Sequence, residues 1–142
     1  MSERSALPIA SAVLLADSII TEAGTNKKTL VGLFSAFFVP SVPFQRELHF
    51  YIELTDAGGE YDFLLEILHL ESSSVVAGGR LEHVVARDRL TSIEMVIHLP
   101  VRFPDFGTYE LRLSYKGRVF ASRTFRVLEA KQRKGVPSSG GK

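Results

Sequence analysis

The chain has no cysteine and no tryptophan, only two methionines, and no excess of either charge. Without cysteine, a disulfide framework and a thiolate metal site are both excluded. The same absence fits a reducing compartment, so a cytoplasmic location is expected. No stretch approaches the roughly 18 uninterrupted apolar residues of a membrane helix, so no membrane span is expected. The 17 basic and 16 acidic residues nearly cancel, but unevenly. Residues 129–142 hold Lys131, Arg133, Lys134 and Lys142 against Glu129, and the remaining 1–128 carry 13 basic against 15 acidic residues. A slightly acidic body is poorly suited to neutralising phosphates, which argues against nucleic acid as a partner.

What is present suffices for one cored domain. The 142 residues are 45% hydrophobic, ordinary globular values. Residues 1–128 are expected to form a single domain and 129–142 a flexible basic tail, ending Pro137-Ser138-Ser139-Gly140-Gly141-Lys142. The apolar stretch Leu7–Ala16 lacks the positive flank of a secretory signal, since Glu3 stands beside Arg4 in Met1–Ser5. It reads as a first strand.

The dominant period is two. Leu48, Phe50, Ile52 and Leu54 alternate with Glu47, His49, Tyr51 and Glu53. Ile93, Met95, Ile97 and Leu99 alternate with Ser92, Glu94, Val96 and His98, and Tyr109, Leu111, Leu113 and Tyr115 with Thr108, Glu110, Arg112 and Ser114. Successive strand side chains point to opposite faces, so each segment has one core face and one wetter face. Turn residues at Asp56-Ala57-Gly58-Gly59, Gly78-Gly79 and Lys116-Gly117 punctuate the pattern; the last suits a two-residue hairpin. Strands are expected near 9–20, 29–39, 47–54, 61–70, 74–85, 90–99, 108–116 and 118–128, about eight in all. That is an all-β, antiparallel sandwich. Segment 29–39 is apolar on both faces, with Leu30, Phe34, Ala36 and Phe38 against Val31, Leu33, Phe37 and Val39. It is expected to be buried on both sides or to rest on a partner, and Gly32 marks a bulge or a close backbone approach.

Asp105-Phe106-Gly107-Thr108-Tyr109-Glu110-Leu111 resembles the immunoglobulin pattern Asp-x-Gly-x-Tyr-x-Cys before strand F. The resemblance implies a structural tyrosine corner of Tyr109, Gly107 and Asp105, with the Tyr109 hydroxyl bonded to backbone just upstream and Leu111 in the place of the cysteine. More widely, Leu15-Ala16-Asp17-Ser18 leading into Lys28–Phe34, and Phe103–Leu113 with Phe125-Arg126-Val127, resemble an uncharacterised bacterial family of small immunoglobulin-like domains. Where that family has Cys-Asp, this chain has Ala16-Asp17, so no thiol role carries over. The resemblance implies a fold and no activity.

Chemistry-bearing motifs are few. None of His49, His69, His83 and His98 stands at His-x-His or His-x-x-x-His spacing, so no metal site is expected and each reads as a solvated or hydrogen-bonded strand residue. Asp56, Glu60 and Asp62 lack the dense oxygen offsets of a calcium loop. Ser72-Ser73-Ser74 has no nucleophile elbow around it, and a hydrolase would need folding to bring a histidine to a serine. No phosphate-cradling glycine loop is present. Catalytic residues and cofactors are therefore both expected to be none. Asp17 falls in phase with Val13, Leu15 and Ile19, which predicts a carboxylate anchored by hydrogen bonds on a core face. The aromatic residues Phe44, Phe103 and Phe106 occupy two proline-stiffened loops expected at one end of the sandwich, either as an interaction patch or as a plug of the core. The expected function is a non-enzymatic interaction or structural module, binding a protein partner or self-associating. A small-ligand or carbohydrate-binding sandwich using Tyr51, Tyr61 and nearby acids is the alternative.

Overall fold

The computed structural model describes residues 6–131. Nine strands run through them: β1 (Ile9–Thr21), β2 (Lys28–Leu33), β3 (Ala36–Val39), β4 (Phe44–Thr55), β5 (Gly59–His69), β6 (Ser74–Ala86), β7 (Ile93–Phe103), β8 (Gly107–Tyr115) and β9 (Arg118–Glu129). They form a four-stranded sheet ordered β2-β1-β4-β7 and a five-stranded sheet ordered β3-β9-β8-β5-β6. The two sheets pack as a β-sandwich, and the described residues contain no helix. None is therefore long and apolar enough to cross a membrane.

Alternation dictates the inner faces. Leu48, Phe50, Ile52 and Leu54 of β4 meet Phe63, Leu65 and Ile67 of β5 and Leu111 and Leu113 of β8 in one buried cluster. Each such side chain contributes about 1.5–3 kcal/mol when removed from water, so these inward rows hold the sheets together. Toward one end the core is aromatic. Phe103 packs edge-on against Phe37 and Tyr109, with ring centroids 5.4 and 5.0 Å away, and Tyr109 stacks on Phe125 at 5.8 Å.

The strand expected over 29–39 divides in two. Phe34 still donates its N–H to Leu15 in the four-stranded sheet, at 3.1 Å, whereas the Ser35 carbonyl accepts from Arg126 in the five-stranded sheet, at 3.0 Å. The chain crosses between the sheets at this point. β3 then runs parallel to β9, so the second sheet is mixed rather than wholly antiparallel. Two apolar faces are thus explained by a change of sheet: Phe37 and Val39 enter the core while Val31, Leu33 and Phe38 are exposed.

The β1–β2 hairpin also leaves the plane of its sheet. Lys28 pairs with Thr21, well past the level where Ala16 meets His49, while Glu94 lies opposite Glu53 on the other side of that level. In a flat sheet these two residues would stand about 30 Å apart along the strands. Yet Lys28 Nζ lies 3.5 Å from Glu94 Oε1. The hairpin therefore curls back over the outer face of β4 and β7. Ile19, Leu30 and Lys28 turn under it and are half-buried; Ile20, Val31 and Leu33 face out. Leu15 and Ala16 are both buried, which breaks the burial alternation of β1.

Two residues of the expected tail are held to the sandwich: Glu129 closes β9, and the Ala130 N–H bonds to the Val39 carbonyl at 2.9 Å. The rest of the expected tail, 132–142, and the Met1–Ser5 flank lie outside the described residues.

Candidate functional site

At the aromatic end, Tyr109 Oη donates to the Asp105 carbonyl at 2.6 Å, and the Asp105 N–H approaches the same oxygen at 3.4 Å. Burial pushes the Tyr109 hydroxyl above its ordinary pKa, which keeps it a donor. Phe103 is wholly buried, because β7 continues its alternation through Val101 to that ring. Phe44 pairs with Phe103 across the strands, and both Phe44 and Phe106 are half-buried against the core. The three rings are a plug, and no exposed aromatic patch forms from them.

Beside this corner, folding makes the serine–histidine pair that spacing did not suggest. His69 is buried at the end of β5, and its Nδ1 lies 2.7 Å from Ser72 Oγ. Its Nε2 lies 3.1 Å from the Phe106 carbonyl and 3.3 Å from Glu71 Oε1. A carbonyl only accepts, so Nε2 donates to it, and in the neutral ring Nδ1 accepts from Ser72. Glu71 accepts the Thr108 N–H at 3.0 Å, which holds its carboxyl below the usual range. A side chain at Gly107, which has φ +133°, would meet Glu71 Oε1 at 2.7 Å and His69 Nε2 at 3.0 Å. These contacts tie the β5–β6 turn to the start of β8. Ser72 itself stands exposed on that turn and shares its hydroxyl with Ser74 at 2.5 Å.

Tyr61 does not reach an outer face. It is fully buried, and its hydroxyl donates to the Ala6 carbonyl at 2.7 Å and accepts the Gly58 N–H at 3.1 Å. Tyr51 does face outward, beneath the curled hairpin, where it donates to Glu94. Burial first, and the Glu94 carboxylate second, push its pKa up. The aromatic pair of the carbohydrate reading is thus separated by the sandwich. Asp17 is exposed and not on a core face. Its carboxylate lies 3.0 Å from Arg46, whose guanidinium covers Phe34 and Phe37 at 4.7 and 4.6 Å from their ring centroids.

On the outer face of the four-stranded sheet, β4 and β7 bring two histidines into direct register. His49 lies opposite His98. Their Nδ1 atoms are 2.6 Å apart and their rings meet edge to face at 4.6 Å between centroids. Glu47, one pleat along β4, places Oε1 3.8 Å from His49 Nε2. One donor atom from each of the three lies within 4.8 Å of the others. Imidazole and carboxylate donors in this combination suit a first-row divalent ion.

The sequence profile of one family matches residues 11–128, which takes in nearly all of both sheets and the residues Tyr109, His69, Glu47, His49 and His98. The chain belongs to DUF6941, a family of unknown function. No curated protein matches it. Membership in this family assigns no role to any residue.

Sequence reasoning missed the His49–His98–Glu47 cluster because the two histidines are 49 residues apart. The usable signal was the outer phase of two alternating strands, since Glu47, His49 and His98 all stand at polar positions. What was lacking was the β4–β7 register. Val31 and Leu33 were legible as one face of an apolar segment expected to be buried or to rest on a partner, but their exposure beside Ile20 was not, because it depends on where the hairpin curls.

Proposed function

We propose that this chain is a non-enzymatic interaction module, an immunoglobulin-like β-sandwich that self-associates through its curled β1–β2 hairpin. One observation carries the reading: Ile20, Val31 and Leu33 form an outward apolar row on the hairpin, and Leu33 is 60% exposed. Ser18 faces Val31 and Ile20 faces Thr29, so the row lies on one face of the hairpin. β2 is also, among the described residues, the last strand of its sheet, with an edge that a second copy can extend by strand pairing. Phe38, on the outer strand of the other sheet, adds a ring that is 64% exposed. Exposed apolar groups in a row favour association, because water leaves both surfaces together.

The immunoglobulin-like reading draws support from two features. The Tyr109 hydroxyl bonds four residues upstream, as a tyrosine corner does. With β4 and β7 taken as strands B and E, and β5, β8 and β9 as C, F and G, the neighbours in each sheet match that fold. The bacterial origin carried by the sequence resemblance is part of the same proposal. The non-enzymatic reading rests on the roles of His69 and Glu71 as ties between turns, with Ser72 at an exposed bend.

Light scattering after size exclusion tests the module, with the wild type beside Val31→Ser/Leu33→Ser. The wild type is expected to show a mass that rises with concentration, and the double variant a monomer with an unchanged circular dichroism spectrum. A monomeric wild type refutes self-association. Labelling of Ser72 by a fluorophosphonate probe would overturn the non-enzymatic half.

A further inference from the structure

We propose that Glu47, His49 and His98 form a binding site for a first-row divalent cation, with Zn²⁺ the best match, on the outer face of β4 and β7. The donor set is two imidazoles and a carboxylate, each within 4.8 Å of the others. Zinc prefers nitrogen and oxygen donors of this kind, and three protein ligands leave a fourth position for water.

The contact between the histidines points to the ligand. Two neutral imidazoles whose Nδ1 atoms stand 2.6 Å apart hold one proton between two lone pairs. A cation displaces that proton, which moves to the Nε2 of its own ring, and then uses the Nδ1 lone pairs of both rings. With metal–nitrogen bonds of about 2.0–2.1 Å and tetrahedral angles, the two nitrogens must stand roughly 3.3 Å apart. The rings therefore separate by less than about 1 Å, which the exposed side chain of His98 can supply by rotation. Glu47, more than half exposed, swings in from the same face as the third ligand.

The backbone beneath is set for this. β4 and β7 pair without a register shift from Phe44 opposite Phe103 to Leu54 opposite Ile93. A site carried on paired strands is more rigid than one on loops. β7 is the last strand of its sheet, and Pro100, which lacks an N–H and is tolerated at such an edge, lies directly opposite Glu47. The cluster is thus open to solvent on the side away from the curled hairpin.

Isothermal titration of the full chain with zinc chloride tests the site. The wild type is expected to bind one ion. His98→Ala is expected to weaken binding at least tenfold, since loss even of an outer-shell partner costs about 10–100-fold. Glu47→Gln is expected to weaken it about tenfold by removing the anionic oxygen. His83→Ala, which removes an exposed histidine beside Glu60, serves as a control and should bind as the wild type does. In parallel, Co²⁺ should give a visible ligand-field band with the wild type and none with His98→Ala. Because His98 and Glu47 are exposed, circular dichroism should show both variants folded. The proposal is overturned if the wild type takes up no zinc at millimolar concentration, or if His98→Ala binds it unchanged.

Discussion

Glu71 shows how one side chain at a turn couples the fold to pH. It accepts the Thr108 N–H, and that bond first, then one from its own backbone, lowers its pKa from the ordinary 4.5. The folded protein therefore binds this proton less readily than the unfolded chain. The resulting stability is fully present above the ordinary value and is lost as pH falls through that value toward the lower folded one. Urea unfolding of the wild type beside Glu71→Gln, followed from pH 7 to pH 3, should show a gap in midpoint that narrows with acid. A gap that stays constant would mean the carboxylate has no preferential bond in the folded state.

At the scale of elements, the curled hairpin depends on Gly32. Its φ is +71°, in the left-handed region, and a Cβ there would fall on the Asp17 carboxylate, with Cγ at 2.8 Å. An alanine must bear the left-handed strain, about 1–2 kcal/mol, and also push Asp17 away from Arg46. Gly32→Ala is therefore expected to destabilise the protein by about 1–3 kcal/mol in urea. Amide exchange should accelerate in β1 and β2 before it does in β5 and β8. A loss within about 0.3 kcal/mol would show that the hairpin tolerates another backbone path.

The two sheets share one core, and this decides how the whole molecule unfolds. Phe103 from the four-stranded sheet lies against Tyr109 and Phe125 of the five-stranded sheet. Phe103→Ala should cost about 3–5 kcal/mol, a large share of the typical 5–15 kcal/mol of a domain. Both sheets should still melt together. With no tryptophan, the tyrosines report on tertiary packing, and Tyr61, Tyr109 and Tyr115 are all buried in the five-stranded sheet. Tyrosine fluorescence and far-ultraviolet circular dichroism should therefore give coincident transitions at a lower urea midpoint. Separate transitions would mean that the sheets are stabilised independently.

Local pattern determined the strands outside 29–39, because period-two alternation is a property of neighbouring residues and needs no knowledge of partners. Leu48 to Leu54 and Tyr109 to Leu113 were legible as core for that reason, and the Tyr109 bond to Asp105 spans only four residues. Where the alternation fails, the sequence was silent. The burial of both Leu15 and Ala16, the crossing between Phe34 and Ser35, and the curl that brings Lys28 to Glu94 are set by how the sheets close on one another. Strand register belongs to the tertiary structure too, since sliding β7 by one residue along β4 would turn His98 inward and dissolve its meeting with His49. The faces were written in the chain; which residues meet across them was decided only when distant strands paired.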